Sequence, residues 1–391
     1  MKAVWFNQLD FGSLCKTSRL ELAAAFSRMG HRLRIVGRYR RKRPRLAPLV
    51  PRPLLLKQYL PDPMGGAFFQ LQVMLLAACE IWKKVDVVLV DHFCVPTVLA
   101  FSLLSKAGLI RTKFVLDVRS APVDMVGSAW RYRLSLRWAK LFYDGITVIT
   151  NLYQGDISRR LRICPANIGV WGSGVRDSIF DPQRIDKARA DGLRWDLGLE
   201  EKVVIMYHGY LSPHRGLQEA VKALALLDAQ GYDQVALVLL GDGPVVTEIS
   251  SLAETRGVSH AVKLIHSVPY GEVPDYLSMA DGGILPFPNV EWWKMSSPLK
   301  LMEYLAMEKP VILTDMPAHR AVLGDAECAF YISDNSPAHI AGAIRKLVQR
   351  KDTLPEIGKR GREIVLGKFT WERQAKNILD YLATLGRGKD K

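Results

Sequence analysis

Residues 296–315 read "SSPLKLMEYLAMEKPVILTD", and the order of signals in this stretch decides the fold. Ser297 is a capping residue type, Pro298 suits the first helical position and Pro310 bars the helix from continuing. Leu299, Met302, Leu305 and Ala306 would look inward, and "PVILTD" then reads as a buried strand. A cation in the first turn opposes the helix dipole, so Lys300 is poorly placed unless an anion sits at that end. Glu303 follows at i+3 on the same face, about one turn on, where a carboxylate can accept hydrogen bonds from hydroxyls. Phosphate at one and hydroxyls at the other suit a sugar nucleotide. The plainer reading is a surface Lys–Glu pair worth a few tenths of a kcal/mol.

Working outward, the second half of the chain alternates strands and helices. "KVVIMYHG", "VALVLLGDGP", "VKLIH", "GGILPFP" and "PVILT" are short apolar runs, and "GLQEAVKALALLDAQG", "VTEISSLAETRG" and "GEVPDYLSMA" lie between them. This is the pattern of a doubly wound parallel sheet. The first half repeats it with "KAVWF", "RLRIVG", "VDVVLV", "TKFVLDV" and "GITVIT"; in "SRLELAAAFSRMG" Ser18 and Glu21 form a capping box and Gly30 supplies the stop. The expected organisation is a first domain over 1–180, a polar linker over 181–202, a second domain over 203–367 and a tail helix, 368–391, packing back towards the first domain. Two such domains would face a cleft, with one substrate on each side.

With 391 residues and mixed composition the chain suits two packed domains. Five cysteines without CxxC spacing indicate neither a disulfide framework nor a zinc site, and a reducing cytosol fits them best. Asn7, Gln8 and Asp10 interrupt any signal-peptide core. "FFQLQVMLLAACEIW" is too short for a membrane span, which needs about 18 uninterrupted apolar residues. The formal charge is +15, with nine basic residues in 32–53. A second basic region, 128–145, interleaves Arg131, Arg133, Arg137 and Lys140 with Trp130, Leu134, Trp138, Leu141 and Phe142. Both would suit peripheral contact with an anionic membrane, although a buried stripe with a solvated basic back explains 128–145 as well.

Neither glycine-rich stretch completes GxGxxG and there is no GxxxxGK[ST], which disfavours nicotinamide and P-loop chemistry. His208 and His214 are close in sequence, but no third ligand has metal-site spacing. "YHGYLSPHRGL" (207–217) places Arg215 in a loop between a strand and a helix, a good phosphate site because guanidinium and helix N-terminus act together.

The ordered series "VWGSGVRDSIFDP", "YHGYLSPHRGLQEAVKAL", "LVLLGDGP", "LIHSVPYGEVPDYLSMADGGILPFP", "SPLKLMEYLAMEKPVILTD" and "FTWERQAKNILDYL" resembles the C-terminal domain of family four glycosyltransferases. Over the N-terminal half the resemblance is looser. It implies the GT-B architecture, two Rossmann-like doubly wound domains, and a retaining, metal-independent transfer from a nucleotide diphosphate sugar. It implies phosphate-binding roles for Arg215 and Lys300, ribose binding for Glu303, and donor contacts at Gly209, Leu299 and, near the transferred sugar, Gly12. Asp117 is a candidate acceptor-side contact. The chain departs from the family at Met295, where the first glutamate of E-x7-E would stand, at Tyr210 in place of an arginine, and at Glu308 in place of a helix-ending glycine. The acceptor expected is a glycan or lipid-linked molecule at the cytoplasmic face of the membrane. A nucleotide-sugar epimerase of the same architecture is the second reading; a basic nucleic-acid-binding protein is the third, without a recognition motif to support it.

Overall fold

A computed structural model of the chain describes residues 1–11, 17–40, 52–119 and 129–385. Among these, seven strands form one parallel sheet: β1 (Lys2–Asp10), β2 (Arg32–Tyr39), β3 (Leu54–Lys57), β4 (Val87–Val90), β5 (Lys113–Val118), β6 (Gly145–Val148) and β7 (Ile168–Val170), in the order β3-β2-β1-β4-β5-β6-β7. Six more form a second: β8 (Val203–His208), β9 (Val235–Leu240), β10 (Val262–Ile265), β11 (Gly282–Leu285), β12 (Val311–Thr314) and β13 (Ala329–Ile332), in the order β10-β9-β8-β11-β12-β13. Helices cover both faces of such sheets, so the central strands are unbroken apolar runs: β4, β8, β9, β11 and β12 are buried at every position. In each sheet the direction of winding reverses once, between β1 and β4 and between β8 and β11.

The chain divides into two units, Met1–Gly174 with the segment from Trp371 onward, and Val175–Thr370. The polar stretch expected as a linker belongs to the second unit. Asp186 caps a helix, Lys187–Leu197, that Gly198 ends at φ +64°, and Arg194 donates to the Met279 carbonyl at 2.7 Å. Leu199 is buried in the core of that unit. The charges that suggested a linker lie on the exposed side of a packed helix.

The first unit is completed by the helix Trp371–Thr384. Tyr381 Oη accepts from Ile146 N at 3.1 Å and donates to the Asn167 carbonyl at 2.8 Å. Its ring lies where a Cβ on Gly145 or Gly169 would stand, 2.4 and 2.5 Å from its nearest atoms, so both positions need glycine. The helix Thr17–Arg28 already contains Ser18, so Ser18 is not its cap, and Glu21 is buried. In the helix Ala129–Phe142 the inward stripe is Tyr132, Ser135, Leu136 and Ala139, with Trp130 exposed and Leu134 and Trp138 half-buried. Residues 41–51 of the basic tract 32–53 lie outside the described residues. The segment judged too short for a membrane is part of a longer helix, Met64–Trp82, of 19 residues, which by length and composition could cross one. Gly65, Phe69, Val73 and Ala77 on one side of it are buried.

Candidate functional site at the carboxyl ends of β8 and β11

β8 ends at His208, and the chain turns at Gly209 with φ +102°, a conformation that favours glycine. The helix Leu299–Ala306 begins after Pro298, one position later than the sequence suggests, so Ser297 is not its cap. From Leu301 to Ala306 every residue is buried, which is why a hydrophobic stripe alone does not describe it. Glu303 therefore lies in the interior, 2% exposed, and its Oε2 is 2.7 Å from His208 Nε2. This excludes the plainer reading of a surface pair.

Burial holds the His208 pKa below its usual range, partly offset by Glu303 and reinforced by nearby Lys300. A neutral imidazole then donates from Nε2 to the carboxylate. The other polar atom of each side chain, His208 Nδ1 and Glu303 Oε1, is enclosed and without a hydrogen-bond partner in the protein. Buried polar groups are nearly always paired. Two such atoms on one hydrogen-bonded pair at a strand end are acceptors that ligand hydroxyls would satisfy. Tyr304 fixes the strand end beside them: its hydroxyl donates to the Met206 carbonyl at 3.0 Å and accepts from His208 N at 3.2 Å.

Lys300 lies along the turn. Its Nζ is 5.4 Å from the centre of the Tyr207 ring, and a Cβ on Gly209 would stand 2.7 Å from its Cε. Leu299, half-buried, opens the helix. Arg215 closes the short turn Pro213–Arg215, and Gly216, at φ +70°, follows against the chain leaving β11, where a Cβ would come within 1.9 Å of the Pro286 carbonyl oxygen. The Arg215 guanidinium carbon is 4.4 Å from the Trp293 ring centre and 5.1 Å from that of Phe287. Those rings stack at 4.4 Å, and Trp293 Nε1 donates to the His214 carbonyl at 3.1 Å. The aromatic pair thus braces the cation's loop, and Arg215 Nε is enclosed without a partner. Cation, carboxylate and glycine turn share the carboxyl edge of the second sheet at its winding reversal, the usual ligand position in such sheets.

Residues 191–364 match the sequence profile of the family described as "Glycosyl transferases group 1". Over this stretch the chain is similar to the group 1 glycosyltransferases. Among curated proteins, the chain is similar to an alpha-D-kanosaminyltransferase of Streptomyces kanamyceticus, 20% identical over 62% of this chain and 59% of that protein. It is similar also to a GDP-mannose-dependent alpha-(1-6)-phosphatidylinositol monomannoside mannosyltransferase of Mycobacterium tuberculosis, 26% identical over 63% of each chain. The chain thus spans about three fifths of the length of these two relatives. Among solved structures, the Anabaena protein HepE in complex with UDP and glucose superposes with a TM-score of 0.76 at 15% identity, covering 98% of this chain and all of that one. The glycosyltransferase of Rickettsia africae gives 0.75 at 14%, covering 99% and 100%. The fold is GT-B, with a seven-stranded and a six-stranded parallel sheet.

Within the second unit, Gly209, Leu299, Lys300 and Glu303 gather on one helix and the turn it packs against, and Arg215 stands on the adjoining loop. Gly12 lies outside the described residues. Asp117, expected as an acceptor-side contact, stands at the end of β5, and its Oδ2 is enclosed without a hydrogen-bond partner in the protein. It is 2% exposed inside the first unit, where Oδ1 accepts from Thr147 Oγ1 at 2.6 Å and Trp171 Nε1 at 2.8 Å. It ties β5 to β6 and to the chain beyond β7. The guanidinium of neighbouring Arg119 lies 3.6 Å from the centre of the Trp171 ring, and burial lowers its pKa to about 10. Sequence reasoning considered His208 only as a metal ligand and missed its partnership with Glu303; it also passed over Phe287 and Trp293. The position of His208 immediately before the glycine turn was the available signal. Among the described residues no group of three His, Cys, Asp or Glu side chains is placed to hold a metal ion.

Proposed function

We propose that the chain is a retaining glycosyltransferase that moves a sugar from a nucleotide diphosphate sugar to a glycan or lipid-linked acceptor, in assembly of cell-surface polysaccharide or glycoconjugate at the cytoplasmic face of a membrane. The observation that carries this reading is the buried Glu303–His208 pair, with one unpartnered acceptor on each side chain, on the sheet edge that also holds Lys300 and Arg215. The carboxylate binds the ribose hydroxyls of the donor, with Leu299 and Gly209 shaping the approach. Arg215 and Lys300 neutralise the diphosphate as charge builds on it during departure, the step that front-side transfer most needs to have stabilised. The two cations do the electrostatic work a metal does in other transferases, so the reading requires no metal ion. UDP in HepE and the GDP-mannose dependence of the mycobacterial relative support a nucleotide-sugar donor.

The test is a thermal-shift screen of nucleotide diphosphate sugars, followed by product analysis with and without candidate acceptors. A donor that stabilises the protein, and whose stabilisation Glu303→Gln removes, is the expected result; transfer should survive a chelator. Absence of stabilisation by every donor refutes the reading. Conversion of the whole donor pool without acceptor would show an epimerase instead.

A further inference from the structure

The helix Met64–Trp82 has its apolar side turned outward. Met64, Phe68, Leu71, Leu75 and Trp82, at three-, four- and seven-residue steps, are 63, 42, 47, 58 and 88% exposed. The one charged residue in this helix, Glu80, is drawn aside to Arg34 at 2.7 Å and Lys83 at 3.7 Å. The helix Val95–Lys106 packs beside it and extends the patch with Leu103 and Leu104, 46 and 40% exposed, and Leu109 just beyond at 71%. Isolated exposed leucines are ordinary, but rows of exposed apolar side chains on two helices packed together mark an interaction surface.

Charge decides what that surface meets. Lys83 and Lys84 follow the first helix, and Lys106 and Arg111 stand at and beyond the end of the second, all exposed. The next helix in the layer, Ala129–Phe142, adds four more bases and no acid. Glu80 is the only acidic residue in the three helices. An apolar face rimmed by cations complements an anionic bilayer: side chains enter the acyl boundary while lysine and arginine stems reach the headgroup phosphates. A second copy of the chain would bring two basic rims together, which like-charge repulsion opposes. The inner side of the long helix is committed to the core of the first unit through Phe69, Val73 and Ala77, so the helix lies along the bilayer rather than through it.

We propose that the first unit docks on an anionic lipid surface through the outward faces of the helices Met64–Trp82 and Val95–Lys106. This goes beyond the proposed reaction and does not depend on it. The experiment is flotation of the full chain with vesicles of phosphatidylcholine alone and with phosphatidylglycerol added. The wild type is expected to float with the anionic vesicles, and the Leu71→Ser/Leu75→Ser double variant to lose about tenfold or more in partition while keeping its melting temperature. Lys83→Glu/Lys84→Glu should weaken the anionic preference alone. No flotation of the wild type, or equal flotation of the leucine variant, overturns the proposal. So does a wild-type dimer in sedimentation that fails to float and that the leucine variant dissociates. Donor-induced thermal stabilisation, measured on the same samples, separates this failure from a failure of the transferase reading.

Discussion

At the residue scale the second unit offers a cation beside an aromatic pair, Arg215, and two histidines that burial keeps neutral, His208 and His319. Arg215→Ala removes a preorganised cation from the leaving-group side and is expected to depress turnover by about a hundredfold or more while thermal melts show the fold intact. A rate near wild type would exclude the role. His208→Ala leaves an interior carboxylate without its donor, which costs about 1–3 kcal/mol; weaker donor affinity, measured by calorimetry, is the expected outcome. His319 supplies a pH test. Its ring is buried, Nδ1 is 2.6 Å from the Thr314 carbonyl oxygen, and burial lowers its pKa to about 4. The unfolded chain takes up this proton below about pH 6.5, whereas the folded chain resists until about pH 4. Unfolded protein then binds more protons, so stability falls as pH drops through that window, by a loss on the order of 3 kcal/mol at its acid end. His319→Asn should flatten the decline in melting temperature between pH 7 and 4.5, leaving a residual slope from His92 and His208, which burial also keeps neutral.

At the scale of elements, the helix bearing Glu303 is followed by Glu308, where the family resemblance leads one to expect glycine. Glu308 sits at φ +56°, a left-handed conformation that costs a side-chain-bearing residue about 1–2 kcal/mol. Its carboxylate recovers little, since its ion pair with Arg362 is long at 4.0 Å. Glu308→Gly should therefore raise the denaturation midpoint by a net gain of up to about 1 kcal/mol, reduced by the greater freedom of glycine in the unfolded chain. A lower midpoint would show that the pair outweighs the strain. Arg362 has another task, donating at 3.0 Å to both the Phe180 carbonyl and Asp181 Oδ1. What was legible in the sequence follows from the same physics. The central strands of the second sheet announce themselves because both faces are buried, as in "VALVLL" and "VVIMYH". β3, "LLLK", and β13, "AFYI", are four-residue edge strands with half-buried positions, and their runs are too short to separate from loop. Helix Lys187–Leu197 was hidden by a charged exterior. The bond between His208 and Glu303 spans 95 residues of sequence, so no local pattern could announce it.

At the scale of the whole molecule, the first unit is made from two separated pieces of chain and the second from one continuous piece. The core of the second unit is drawn entirely from its own residues, from Val175 to Val365. Residues 175–370 produced alone should therefore fold cooperatively and keep donor-induced stabilisation, measurable by calorimetry; a fragment without a melting transition would show that its stability is borrowed. The backbone at the two borders of this piece makes a further point. Val175 N donates to the Phe369 carbonyl at 2.8 Å, and Val175 pairs with Thr370 as an isolated parallel bridge. Entry and exit of the polypeptide are thus neighbours, stitched together like the neck of a pouch. Such a cassette could be exchanged between host units with only two nearby splice points to reconcile, and an engineer could close it into a ring with a short peptide.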